Sequence, residues 1–373
     1  FSPSLQKNRH FSLSINNMTH KIRVGITHGD INGIGYETIL KAFSQPTLLE
    51  LCTPIVYGSD QAAQVHRQQL GLETTWKVVA SAESAEEEQL NLVDITEGAE
   101  VKVEFGQPSA EAGILAHKAL ERAAEDVNSG NIDVVVTCPI NKASIQSNAF
   151  QFPGHTEFFE ARCGGQALMI LMNDLLRVAL ATVHVPIKEV SSQITLERIE
   201  LCIRQILASL KRDFNCSSPR ISVLSLNPHN GDEGLLGNEE KEILQPLIAQ
   251  LQNEGLPVFG TYSPDGFFGA GSYRHFDAIL AMYHDQGLAP FKALSMDDGV
   301  NFTAGLNIVR TSPDHGTAYD IAGQGKASEL SLLQAIYAAI DIYRHRLTFD
   351  EVNANPLPFT PRHYREERRQ RQN

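Results

Sequence analysis

From Lys21 onward, short apolar runs alternate with longer segments whose apolar residues recur every three or four positions. The runs KIRVGIT, RVALATV, RISVLSLNP, FDAILAMY and NIVRTSPD are rich in Val, Ile and Leu and are bounded by Pro, Gly or Asn, which predicts buried strands. The segments YETILKAF, DQAAQVHRQQLG, SAEAGILAHKALERAAEDV, TLERIELCIRQILASLKRDF, NEEKEILQPLIAQLQNEG and SELSLLQAIYAAIDIYRHRL predict helices. Helices between strands imply right-handed crossovers and mainly parallel sheets with both faces covered, an α/β architecture. Each of the five strand-like runs stops at a histidine: His28, His184, His229, His284 and His315. In an open parallel sheet the carboxyl ends of the strands share one edge, where ligands bind. Separate strands can then bring several imidazoles, the commonest metal ligands, to one place. The pattern predicts a metal-dependent enzyme whose site is assembled from distant segments.

A chain of 373 residues exceeds the size at which a single core usually stops growing, so two domains are expected. No repeat, low-complexity block or Pro/Gly-rich tether marks the boundary, which therefore falls inside the folded body. The net charge of −13 argues against general nucleic-acid binding, because phosphates would be repelled, but a few local cations can still hold an anionic substrate. No apolar stretch approaches the ~18 residues of a membrane span. The five cysteines are scattered and form no CxxC, so neither a thiolate zinc site nor a disulfide framework is expected, and such thiols suit a reducing cytoplasm. Cys138, ending DVVVTCP, reads as a small buried hydrophobe. The first 17 residues are polar without a hydrophobic signal core, and Met18 reads as a natural start. The basic end RHYREERRQRQN lacks an apolar face and reads as a solvated tail.

Two glycine-rich segments stand out. GDINGIG, Gly29 to Gly35, follows a strand and precedes a helix, but the dinucleotide fingerprint GxGxxG fails because Thr38 occupies the third glycine position. A tight turn at Gly33 and Gly35 touching a ligand remains the expectation. SPDHGTAYDIAGQGKA, Ser312 to Ala327, gathers three glycines with His315 and Asp320 between a strand and the last helix. Such a loop lets backbone amides approach a phosphate or adenine closely.

The motifs GHTEFFE, NPHNGDEG, MYHDQGLAPFK, GVNFTAGL and RTSPDHGTA occur together and in this order. Together they closely resemble the 4-hydroxythreonine-4-phosphate dehydrogenase family of vitamin B6 biosynthesis, from about Lys21 to about Tyr343. HGTAYDIAGQGKA is also similar to the cofactor loop of the isocitrate and isopropylmalate dehydrogenase group. The resemblance implies a two-domain fold of that group with an interdomain cleft and a homodimer with shared active sites. Residues 18–135 with 300–350 would form the cofactor-side domain and 136–299 the substrate, metal and dimerisation domain. Residues 1–17 and 351–373 would lie outside the core.

Carried over by position, the metal ligands fall on His184, His229 and His284, holding one divalent ion such as zinc, cobalt or magnesium. Substrate binding falls on His155, Thr156, Lys292, Asn301 and Arg310. Thr156 lies near a helix start and the two cations suit phosphate and carboxylate groups. The cofactor, NAD or NADP, is expected at Gly33, Gly35, His315, Gly316, Asp320 and Gly323. Lys142, Asp265 and Asp285 are candidates for proton transfer, and the residues do not choose among them. Asp265 could instead be a further metal ligand, and Asp285 could orient its neighbour. His117 and His275 read as structural. The first turn reads THGDINGIG where many members carry TPGEPAGIG, which would let His28 touch cofactor or cleft water.

The implied reaction is metal-assisted oxidation of 4-phosphohydroxy-L-threonine followed by decarboxylation. The nearest alternative is a related dehydrogenase acting on erythronate or threonate 4-phosphate or on a cyclic dihydrodiol. A metal-dependent hydrolase would leave the loop from His315 to Gly325 unexplained, and a non-catalytic binding protein would have no use for an open three-histidine site.

Overall fold

The strand signals pair into one continuous sheet. The computed structural model describes residues 21–147, 150–295 and 297–356, so the amino-terminal extension and the basic tail lie outside the described residues. Among the described residues the strands are β1 (Ile22–Thr27), β2 (Cys52–Gly58), β3 (Lys77–Val79), β4 (Asn91–Asp94), β5 (Val134–Thr137), β6 (Gly165–Met172), β7 (Arg177–Leu180), β8 (Ile221–Leu224), β9 (Val258–Tyr262), β10 (Ala278–Ala281), β11 (Val300–Leu306) and β12 (Val309–Pro313). Their order across the sheet is β3-β4-β2-β1-β5-β12-β11-β6-β7-β10-β8-β9. β2, β5, β8, β10 and β12 are buried along their whole length, as expected of near-continuous apolar strands covered on both faces.

The predicted helices form and are bounded by the expected devices. Ser59, Ser109 and Thr195 accept the N–H groups of Ala62, Ala112 and Arg198 at the starts of Asp60–Leu70, Ala110–Ser129 and Leu196–Arg212. Gly71 and Gly130 close the first two in the left-handed region. The last helix, Leu330–Asn353, is tied down by Arg346, which is buried. Its Nε donates to Asp213 at 2.7 Å, and Nη1 donates to the carbonyls of Leu306 and Ile308. All five cysteines are free, and Cys138 is fully buried.

The α/β class and the mainly parallel sheet agree with the sequence, but one premise needs correction. The two wings are internally parallel, β3-β4-β2-β1-β5-β12 and β7-β10-β8-β9. Between them, the pairings β12–β11, β11–β6 and β6–β7 are antiparallel. Three successive reversals make the wings run in opposite directions, so their carboxyl ends do not share an edge. Local periodicity does not carry strand direction, which only the long-range pairing sets. The strand-terminal histidines are therefore divided between two edges: His28 and His315 follow strands of one wing, whereas His184, His229 and His284 follow the adjacent parallel strands β7, β8 and β10 of the other.

His28 is corrected as well. It is fully buried beneath the first turn, its ring stacked on Tyr36 at 5.3 Å, so it reaches neither a cleft nor solvent.

Candidate active site

The reversal at the centre of the sheet builds a cleft on one of its faces. Asn301 of β11 lies between Leu171 of β6 and Ser312 of β12, and Arg310 shares the face of Ser312 two residues away. These residues line a cavity of about 330 Å³. Thr137, the last residue of β5, completes its floor.

Arg310 dominates the electrostatics. Its side chain is 2% exposed, yet no carboxylate among the described residues lies within ion-pair distance. It is held instead by neutral hydroxyls: Nε and Nη2 donate to Thr137 Oγ1 at 3.2 and 2.6 Å, and Nη1 donates to Thr303 Oγ1 at 3.0 Å. Burial pushes the guanidinium down to about 9, against the pull of the Glu157 carboxylate, so it stays cationic at neutral pH. A buried cation without a counter-ion is costly unless a ligand supplies the opposite charge.

The walls carry further unfilled polar groups. His155, first in the helix His155–Cys163, has Nε2 buried without a partner. Burial, then the charges of Arg310 and Lys142, hold this imidazole well below its ordinary range, hence neutral. Thr156 follows it at the cleft. Asn301 Oδ1 and His315 Nε2 are likewise buried without partners, and burial lowers His315. Lys292 stands 3.4 Å from Asp314; burial raises that carboxyl although Lys292 opposes the effect. Buried polar atoms are normally paired, so this concentration around one cavity marks a ligand site.

The imidazole expectation is met for two members. The rings of His184, beyond β7, and His284, beyond β10, lie 5.8 Å apart and both line the cleft. His284 Nδ1 lies 2.7 Å from Asp285 Oδ1, an arrangement that leaves Nε2 free to accept a ligand. Burial, then Lys142 and His284, lowers His184 and keeps it neutral, as a metal ligand must be. The pair fits part of a metal site. His229 does not join it, and no group of three His, Cys, Asp or Glu among the described residues is placed to hold an ion.

His229 sits instead in a loop whose residues His229 to Glu233 all have left-handed backbone, beside exposed Asp265. The Asp265 carboxyl is held low by the Gly266 N–H first, then Ser263 and His229. Buried Glu240 braces this loop, accepting from the N–H groups of Leu226 and Asn227, both at 2.7 Å. Of the three proton-transfer candidates, only Lys142 lines the cleft; Asp285 touches His284, and Asp265 lies beside His229 and is not among the lining residues.

The glycine-rich segments separate by role. His315 and Gly316 line the cleft, and a side chain at Gly316 would meet nothing within 4 Å. Gly33 and Gly35 do not line it. A Cβ on Gly33 would come within 2.8 Å of the Thr317 carbonyl, and one on Gly35 would collide with the His28 carbonyl. Gly323 packs in the same manner against Phe105. Asp320 has an exposed side chain outside the cleft. The first turn is thus a socket for the second loop, reinforced by the Tyr319 hydroxyl donating to Asp30 at 2.7 Å and the Ile34 N–H to Thr317 O at 3.1 Å. Sequence reasoning passed over Thr137, Glu157, Thr303 and Asp314. Glu157, Thr303 and Asp314 lay inside quoted motifs, whereas Thr137 lay outside all five.

The model of the family described as pyridoxal phosphate biosynthetic protein PdxA matches residues 50–339. This chain belongs to that family. It is 56% identical over 340 residues, 91% of this chain and 93% of the relative, to a 4-hydroxythreonine-4-phosphate dehydrogenase of Bacteroides thetaiotaomicron. A protein of the same name from Prosthecochloris aestuarii is 41% identical, covering 86% of this chain and 97% of the relative. The crystal structure of 4-hydroxythreonine-4-phosphate dehydrogenase from Klebsiella pneumoniae superposes with a TM-score of 0.76 at 32% identity, over 87% of this chain and 98% of the other. The resemblance carried by the five motifs is borne out, and the chain is an enzyme of the dehydrogenase type.

Proposed function

We propose that this enzyme oxidises 4-phosphohydroxy-L-threonine with NAD or NADP, giving 2-amino-3-oxo-4-phosphooxybutanoate, which decarboxylates to 3-amino-2-oxopropyl phosphate on the way to pyridoxal phosphate. The observation that carries this reading is Arg310, a buried guanidinium at a cleft with no carboxylate within ion-pair distance among the described residues. A phosphate ester supplies the missing charge and accepts the forked donors. His155, Thr156, Lys292 and Asn301 would complete the grip on phosphate, hydroxyl and carboxylate groups. Lys142 would stand as the proton-transfer group at the substrate hydroxyl, and the loop at His315 and Gly316 would hold the nicotinamide cofactor, which supplies the hydride acceptor when bound.

His184 and His284 would hold a divalent ion, zinc, cobalt or magnesium. The chemistry such an ion supplies is Lewis acidity toward the substrate hydroxyl. His229, with Asp265 beside it, would enter from a second copy in a homodimer with shared sites. Exposed Leu235 (80%), next to the His229 loop, and Ile187 (72%), just beyond His184, support a partner surface there. The two-domain division belongs to this reading, since the first seven strands in sheet order come from 22–137 and 300–313 and the last five from 165–281. So does a cytoplasmic setting: no helix among the described residues is long and apolar enough to cross a membrane. No nucleic-acid partner is proposed.

The test is a dehydrogenase assay after chelation and metal add-back, with erythronate 4-phosphate, threonate 4-phosphate and a dihydrodiol run in parallel. Reduced nicotinamide should accumulate fastest with the phosphorylated amino acid. A dihydrodiol turned over in preference, or no nicotinamide reduction with any substrate, would end the proposal. His229→Ala should lose activity and metal while remaining folded.

A further inference from the structure

The proposed substrate carries an ammonium group that neither Arg310 nor the imidazole pair can recognise, and the cleft contains a carboxylate with no other assignment. Among the described residues two carboxylates line the cavity, Glu157 and Asp314, and Asp314 is paired with Lys292. Glu157 makes no hydrogen bond or ion pair among the described residues. It stands in the first turn of His155–Cys163. A Cβ built on Gly154 would lie 3.5 Å from its Oε2 and 3.8 Å from Lys142 Cε, so the absent side chain of Gly154 leaves a gap bordered by both groups. Glu157 lines the same cavity as Arg310 of the anion grip and as the imidazole pair, His184 and His284.

A site that received only phosphate and carboxylate would be weakened by a negative charge at this point, because like charges repel strongly where water is excluded. A substrate that also carries a cation turns the same charge into an attraction. We infer that Glu157 binds the ammonium group of the substrate and so selects phosphorylated hydroxy amino acids over the corresponding phosphorylated hydroxy acids. The inference rests on the function proposed above. The competing local explanation is that a first-turn acid merely favours its own helix terminus, and that role would leave substrate preference untouched.

The experiment compares kcat/KM of the metal-loaded wild type, Glu157→Gln and Glu157→Asp on 4-phosphohydroxy-L-threonine and on threonate 4-phosphate. The inhibition constant of threonate 4-phosphate serves if it is not turned over. Loss of one charge-assisted contact should lower kcat/KM for the amino substrate by about 30-fold in Glu157→Gln, with the hydroxyl analogue changed by less than about threefold. Glu157→Asp, which keeps the charge but draws it back, should fall between and guards against misfolding of the amide variant. Equal losses on both substrates, or a lowered melting temperature with an unchanged preference, would overturn the assignment of Glu157 alone. A wild type that does not oxidise the amino substrate would overturn the functional reading beneath it.

Discussion

Replacing Arg310 with Met should improve the stability of the free enzyme while removing its grip on substrate. The side chain is 2% exposed and titrates near 9, well below the ordinary guanidinium range, so keeping it charged there costs about 5 kcal/mol relative to water. Its three hydrogen bonds to Thr137 and Thr303 return about 3 kcal/mol. The difference, about 2 kcal/mol, favours the apolar variant, in the same direction as replacement of buried ion pairs by apolar groups of similar volume. Binding moves the other way. Two charge-assisted bonds to a phosphate are together worth about 4 kcal/mol, or about a thousandfold in the substrate constant. Urea unfolding of the free protein and titration calorimetry with substrate measure the two effects separately. KM for the nicotinamide cofactor should change by less than about threefold. Arg310→Lys keeps a charge but loses the fork, and should fall between wild type and Met. A substrate constant unchanged within threefold, or equal rises in substrate and cofactor constants, would refute the assignment of the anion site.

Three further outcomes follow from the geometry. His28 and His66 are buried and titrate near 4 in place of 6.5, each contributing about 3 kcal/mol to stability. Because the unfolded chain binds these protons first, that stability is complete above about pH 6.5 and is lost as pH falls toward 4. Between pH 7.5 and 5 the pair should cost about 4 kcal/mol in unfolding free energy, and His28→Leu should roughly halve this slope; an unchanged slope would contradict the burial argument. Asp285→Ala should weaken metal binding by about 10- to 100-fold in a chelator competition while leaving the melting temperature alone, and full affinity would show that the contact to His284 is incidental. Arg346→Ala strands buried Asp213 and should lose about 3–5 kcal/mol in urea unfolding, so a loss below about 1 kcal/mol would place the anchoring of the last helix elsewhere.

By itself the sequence determined the elements and the chemistry they carry. Apolar runs of strand length between amphipathic segments specify buried strands and covering helices, since each element must hide one face, and periodicity of that kind is written locally. The motifs likewise identified His155, Thr156, Lys292, Asn301 and Arg310, all of which line the cleft. Only the tertiary structure decided which of these groups meet. The opposed wings come from pairings between residues far apart in the chain, such as Asn301 with Leu171 and Ser312. No local signal encodes such pairings. Long-range pairing also brings His184 to His284, which follow the adjacent parallel strands β7 and β10, while His229, in the left-handed loop beyond β8, stays outside the pair. Close packing decided the rest. Tyr36 covers His28, and the carbonyls of Thr317 and His28 occupy the space beside Gly33 and Gly35. A glycine that admits a ligand and a glycine that admits a neighbouring backbone look alike in sequence, because both are selected for the same missing Cβ.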